Sequence, residues 1–169
     1  MKQQNTTSNQ QRKSLMLKDL VLIGIFDVIY LVIVMACGCM GIVPIMYLIY
    51  PTIAAIIAGP LVLLFMAKEQ KAFAFAIFGI IPPALMFLLG CTYVVLLIGI
   101  ITTLLAEVLR KIGNYSSFTW NTLAYAVHSL WMPGVLSQMI FMRERFLELC
   151  QPMGDAYICL LYTSDAADE

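Results

Sequence analysis

Charge is what this sequence has least of. Of its 169 residues only 12% are Asp, Glu, Lys or Arg, while 62% are hydrophobic. Soluble domains carry about 25% charged residues to cover their surfaces, so an ordinary water-solvated globule is excluded. The few charges fall in clusters separated by long apolar runs, and the mean hydropathy is +0.89. That distribution belongs to a chain dissolved in lipid. Catalytic signatures are missing as well. There is no H-E-x-x-H zinc helix, no G-x-S-x-G elbow, no aspartate-rich CDP-alcohol motif and no phosphate-binding loop. Without that loop the chain cannot itself hydrolyse ATP. Cys37-Gly38-Cys39 has no His or Cys cluster beside it and reads as small residues near a membrane surface. No cofactor, metal or nucleic-acid partner is expected.

What is present is a series of hydrophobic stretches. An α-helix rises 1.5 Å per residue, so about 20 apolar residues cross the hydrocarbon core. On that measure the chain is an all-α polytopic bundle with spans at about 20–39, 42–67, 72–89, 93–109 and 120–141. Residues 1–16 are rich in Gln, Asn, Ser and Thr and form an expected flexible tail. Pro51 and Gly59-Pro60 predict a kink or break in the second span, and Pro133-Gly134 another in the fifth. Residues 142–158 form an expected interfacial segment, with Arg143, Glu144, Arg145 and Glu148 opposite Phe146, Leu147 and Cys150. Lys18, Lys68, Lys71, Arg110 and Lys111 flank alternate turns, while the turns after the first and third spans carry no charge. The positive-inside rule therefore puts the N-terminus in the cytoplasm.

Only Asp27, Glu107 and His128 place ionisable side chains within spans. Glu107 precedes Arg110 by three residues and Lys111 by four, spacings that predict an intrahelical pair. Asp27 and His128 fall at similar depth from the cytoplasmic side, which predicts a contact between the first and fifth helices. Tyr47, Tyr50, Tyr93, His128, Trp131 and Gln138 are candidates to line an outward-facing pocket, apolar with a few polar anchors. An interfacial aromatic belt accounts for Tyr47 and Tyr93 equally well. Ala54, Ala55, Ala58, Gly59, Ala72 and Ala76 form small-residue stripes, suited to internal packing or to docking a partner subunit.

Several strings carry a resemblance. LKDLVLIGIFDVIYLVI, YPTIAAIIAGP, MAKEQK, LLAEVLRKIGNYSSFTWNTLAYA, FMRERFLE and MGDAY are similar to the Trep_Strep family of bacterial membrane proteins. The string from Arg110 to Asn121 is the most specific. The resemblance implies an S component, the substrate-binding subunit of an energy-coupling-factor (ECF) importer in the bacterial cytoplasmic membrane. Such a subunit has six helices, takes up a small micronutrient outside, and docks on a coupling transmembrane subunit driven by two ATPases. The first helix departs from several S components in lacking an A-x-x-x-A stripe; only Gly24 is small in its cytoplasmic half. Residues 159–169, CLLYTSDAADE, resemble a translated sequencing adapter, so a foreign tail and a missing sixth helix are expected. The function expected is binding rather than catalysis. The alternatives are a membrane enzyme using Asp27 and His128, and an accessory membrane protein without a ligand.

Overall fold

A computed structural model describes residues 16–165, and among them every regular element is helical. The long helices are α1 (Leu17–Gly38), α2 (Pro44–Lys68), α3 (Ala74–Leu88) and α4 (Tyr93–Ile112). After them come α5 (Phe118–Ser129), α6 (Trp131–Gly134), α7 (Ser137–Phe141), α8 (Arg143–Cys150) and α9 (Asp155–Asp165). A short 3-10 turn, Cys39–Ile42, extends α1, and a second, Gln151–Met153, separates α8 from α9.

Three of these helical stretches are long and apolar enough to cross a membrane: Leu17–Ile42, Ile45–Lys68 and Tyr93–Ile112. The other two expected spans need correction. The stretch at 72–89 is helical only over Ala74–Leu88, because Phe73 adopts a left-handed φ of 64° and starts the helix late. The stretch at 120–141 is not one kinked helix but three pieces. Pro133 has no N–H for the Ser129 carbonyl and its ring crowds that turn, so the helix ends at Ser129 and resumes at Trp131.

In the second span, where a kink or break is expected at the prolines, the helix is not broken. Pro44 starts α2, where a missing N–H costs nothing, and the helix continues through Pro51 and Pro60. The Tyr125 hydroxyl donates to the Ala55 carbonyl, one turn before Pro60. Gly59 makes room for it: a Cβ there would lie 3.3 Å from the Tyr125 ring.

Helix α4 lies against α3, α5, α6 and α7, while α1 lies against α2 and α3. Packing is close where α4 meets α3, and a Cβ on Gly99 would sit 2.4 Å from the Pro83 ring. Aromatic rings join the layers. Phe26 meets Phe65 at 5.5 Å, Phe65 stacks on Phe78 at 4.7 Å, and Tyr30 meets Phe78 edge-on at 5.4 Å. The small-residue stripes serve this packing. Ala54, Ala58, Gly59 and Ala76 are buried between helices, while Ala55 and Ala72 are half-buried. Gly24 alone of the candidate docking residues is exposed.

Lys18, Lys68, Lys71, Arg110 and Lys111 stand at one end, at the start of α1 and the ends of α2 and α4. There Lys71 pairs with Asp19, which ties the connection between α2 and α3 to the start of α1. The opposite end is covered by α7, α8 and α9. Helix α8 buries Phe146 and Cys150 and exposes Arg143, Glu144, Arg145 and Glu148. The Tyr157 hydroxyl of α9 donates to the Gly41 carbonyl at 2.6 Å. Helix α9 runs without interruption across residue 158.

Candidate functional site

A cavity of ≈ 350 Å³ opens at the end away from Lys68, Lys71 and Arg110. Val34, Met35 and Gly38 of α1, with Cys39 and Ile42 of the following turn, form one wall. Tyr50 and Ala54 of α2 and Met86 of α3 form the second, and Cys91, Trp131, Met132 and Val135 close it. At 100° per residue Trp131, Met132 and Val135 fall within one 100° arc, so the segment after Leu130 turns a single face toward the cavity.

No charged side chain reaches the wall. Five of its twelve residues carry sulfur: Met35, Cys39, Met86, Cys91 and Met132. Trp131 is 1% exposed and its indole Nε1 donates to the Tyr30 hydroxyl at 3.1 Å, so that N–H is already used. The Tyr50 hydroxyl makes no hydrogen bond among the described residues and is the strongest polar group left in the wall. Burial pushes the Cys91 thiol above its ordinary pKa, so it stays protonated at neutral pH.

Of the six pocket candidates, Tyr50 and Trp131 line the cavity. The others go elsewhere. Tyr93 is 54% exposed on the surface of α4. Gln138 Nε2 donates to the Tyr47 hydroxyl at 3.3 Å, while its Oε1 accepts from Thr92 at 3.4 Å, so both Tyr47 and Gln138 belong to the cap. His128 is fully buried below the cavity, with its ring edge-on to Phe75 at 5.1 Å. The Thr103 hydroxyl donates its one hydrogen to the Gly79 carbonyl at 3.0 Å. It must therefore accept from His128 Nδ1, 3.2 Å away, which leaves Nε2 as a bare acceptor with no partner.

The expected contact between Asp27 and His128 is not formed. Neither oxygen of the buried Asp27 has a hydrogen-bond partner, and no ion pair joins the two residues. Asp27 lies on the α1 face with Phe26 and Tyr30 that packs on α2 and α3, whereas His128 is held between α3 and α4. Equal depth did not bring them to the same side of the bundle.

The pairing expected of Glu107 is also replaced. Its Oε1 accepts the Phe73 backbone N–H at 2.7 Å and holds that residue in its left-handed conformation. Arg110 is fully buried and turns to backbone instead. Its Nη2 donates to the carbonyls of Met66 at 3.2 Å and Glu69 at 2.8 Å, and its Nε to Asn121 Oδ1 at 3.3 Å. The guanidinium also lies over the rings of Phe75 and Tyr115. Arg110 thus satisfies the open carbonyls at the end of α2 and locks α4 to α5. Burial and the nearby Glu107 carboxylate push the Tyr115 phenol above its ordinary pKa, keeping it neutral.

Sequence reasoning missed this role because a basic residue at a helix end is usually solvated. The signal was the string Arg110 to Asn121, whose Arg110, Tyr115 and Asn121 meet here. It likewise missed Met35, Met86, Cys91 and Met132, since methionine and cysteine in an apolar stretch look like filling.

A family described as a hypothetical bacterial integral membrane protein (Trep_Strep) matches residues 17–163. No curated protein and no solved structure matches the chain.

Proposed function

The chain belongs to the Trep_Strep family of bacterial integral membrane proteins, and from that premise we propose that it is the substrate-binding subunit of an ECF-type importer. In this reading it sits in the cytoplasmic membrane with its N-terminus inside and takes a small micronutrient from the outer side. It then docks on a coupling transmembrane subunit that two ATPases drive. The observation that carries the reading is the cavity of ≈ 350 Å³ at the end remote from Lys18, Lys68, Lys71, Arg110 and Lys111, where the charges of α8 are balanced between two arginines and two glutamates. By the positive-inside rule that end faces outward. A preformed concave site walled by apolar and aromatic groups is what capture of a small molecule requires. The wall carries no charged side chain to act as acid or base, which supports a binding role in this reading.

Docking needs an apolar face left open on the chain. Helix α1 provides one around Gly24, where Val21, Ile25 and Val28 are each more than half exposed. We place the coupling subunit there. The test is co-purification in detergent with the coupling subunit and both ATPases of the same bacterium. A stoichiometric complex that survives size exclusion, and that Gly24→Trp abolishes, supports the role. Failure to associate with any such module sinks it.

A further inference from the structure

The wall of the cavity narrows the chemistry of its occupant. With no charged side chain in reach, an ionic ligand would give up its hydration and gain no counter-charge. Hydrogen bonding is sparse. The Trp131 N–H is committed to Tyr30, which leaves the Tyr50 hydroxyl and the weak thiols of Cys39 and Cys91. The occupant therefore has a largely apolar body and few polar groups.

The sulfurs say more. Met35, Met86 and Met132 come from three different helices or helix ends and converge on one space beside Trp131. Methionine in a core usually fills gaps, but these residues surround a cavity rather than close it. Thioether sulfur makes favourable contacts with the edges of aromatic rings and adapts to their shape. A flat ring also stacks on the exposed part of a phenol, here that of the half-buried Tyr50. The volume of ≈ 350 Å³ lies at the small end of ligand sites and has room for about two to three fused rings.

We propose that this cavity binds a small, uncharged aromatic molecule, seated between Met35, Met86 and the Tyr50 ring, hydrogen-bonded by the Tyr50 hydroxyl and bordered by the buried Trp131 and Met132. The inference rests on the cavity being the substrate site of the proposed function, but it needs no coupling subunit. Binding without complex formation would remove the importer reading and leave this one standing.

The chain has two tryptophans, and Trp120 lies in the first turn of α5 at the basic end. In a Trp120→Phe protein, emission therefore reports on Trp131 alone. The probes are 2-naphthamide, its perhydro analogue, 2-naphthoate and silver(I), added to the full chain in lipid nanodiscs. Emission and thermal midpoint are read together. The expected result is that 2-naphthamide alters Trp131 emission, raises the midpoint, and binds at least about 10-fold tighter than either analogue. Tyr50→Phe should weaken it about 10-fold, the share of one hydrogen bond. Gly38→Leu, on the wall at a position where a Cβ meets nothing within 4 Å, should obstruct the cavity and abolish binding without lowering the midpoint of the empty protein. Equal affinity for the perhydro compound would overturn the proposal in favour of a generic apolar or acyl-chain occupant. Preference for 2-naphthoate, tight binding of silver(I) without the amide, or no binding by a folded protein would each overturn it too.

Discussion

The indole of Trp131 donates to the hydroxyl of Tyr30 at 3.1 Å, and both side chains are sealed from solvent. This single bond crosses 101 residues of sequence and joins α1 to the helix that restarts after Leu130. It fixes the indole plane that forms part of the cavity wall. Tyr30→Phe removes the acceptor and leaves a buried N–H without a partner, at an expected cost of about 1–3 kcal/mol. Denaturant titration in detergent measures the loss. Trp131 emission, read in the Trp120→Phe background, should shift as the ring becomes free to tilt.

Arg110 makes a different kind of link, from one guanidinium to two carbonyls at the end of α2 and to Asn121 on α5. Lysine cannot reproduce that fork. Arg110→Lys should therefore destabilise by about 2 kcal/mol or more, because hydrogen bonds from charged donors are worth about 1.5–3 kcal/mol each. Lys111→Ala, at the exposed neighbouring position, should change stability by less than about 0.5 kcal/mol. Thermal midpoints of the two variants check the contrast.

Asp27 is buried without a partner. Asp27→Asn keeps its shape and removes the cost of a charge in that position, so the variant should be at least as stable as the parent. Asp27 and His128 do not meet, and a double-mutant cycle between Asp27→Asn and His128→Ala should give a coupling below about 0.5 kcal/mol. A coupling of several times that size would restore the pair.

Two glycines should respond oppositely to the same substitution. Gly99→Ala drives a methyl group to 2.4 Å from the Pro83 ring and should cost about 1–3 kcal/mol. Gly24 has nothing within 4 Å, so Gly24→Ala should stabilise its helix by up to about 1 kcal/mol. Unfolding of both variants in the same detergent makes the comparison direct.

Orientation has a chemical test. Cys39 is exposed at the cavity end, and Cys37, two residues earlier and on the other side of the helix, is buried. With the N-terminus inside, a membrane-impermeant maleimide should label a Cys39-only protein on intact cells. A Cys37-only protein should remain unlabelled until it is unfolded. Labelling of Cys39 only after the cells are opened would reverse the topology.

The sequence by itself determined the solvent of this protein and the nature of its elements. With so little charge and such long apolar runs, only helices that satisfy their own backbone hydrogen bonds are stable in lipid. It also marked where those helices turn, because Lys68, Lys71, Arg110 and Lys111 stand at their ends. What it could not show is which side of each helix faces a neighbour. In a membrane helix both sides are apolar: α1 buries Ile23, Phe26 and Val34 but exposes Val21, Ile25 and Val28, and the two sets are chemically alike. The periodicity that orients a helix in water is therefore missing. The tertiary structure alone decided that the alanine stripes face inward and that Asp27 and His128 lie apart. It also decided that Arg110 turns into the bundle while Lys111 turns out. The cavity depends on the same kind of decision. Its wall is drawn from segments far apart in sequence, and the Trp131 indole is held there by its bond to Tyr30 on α1, a contact that no local pattern shows.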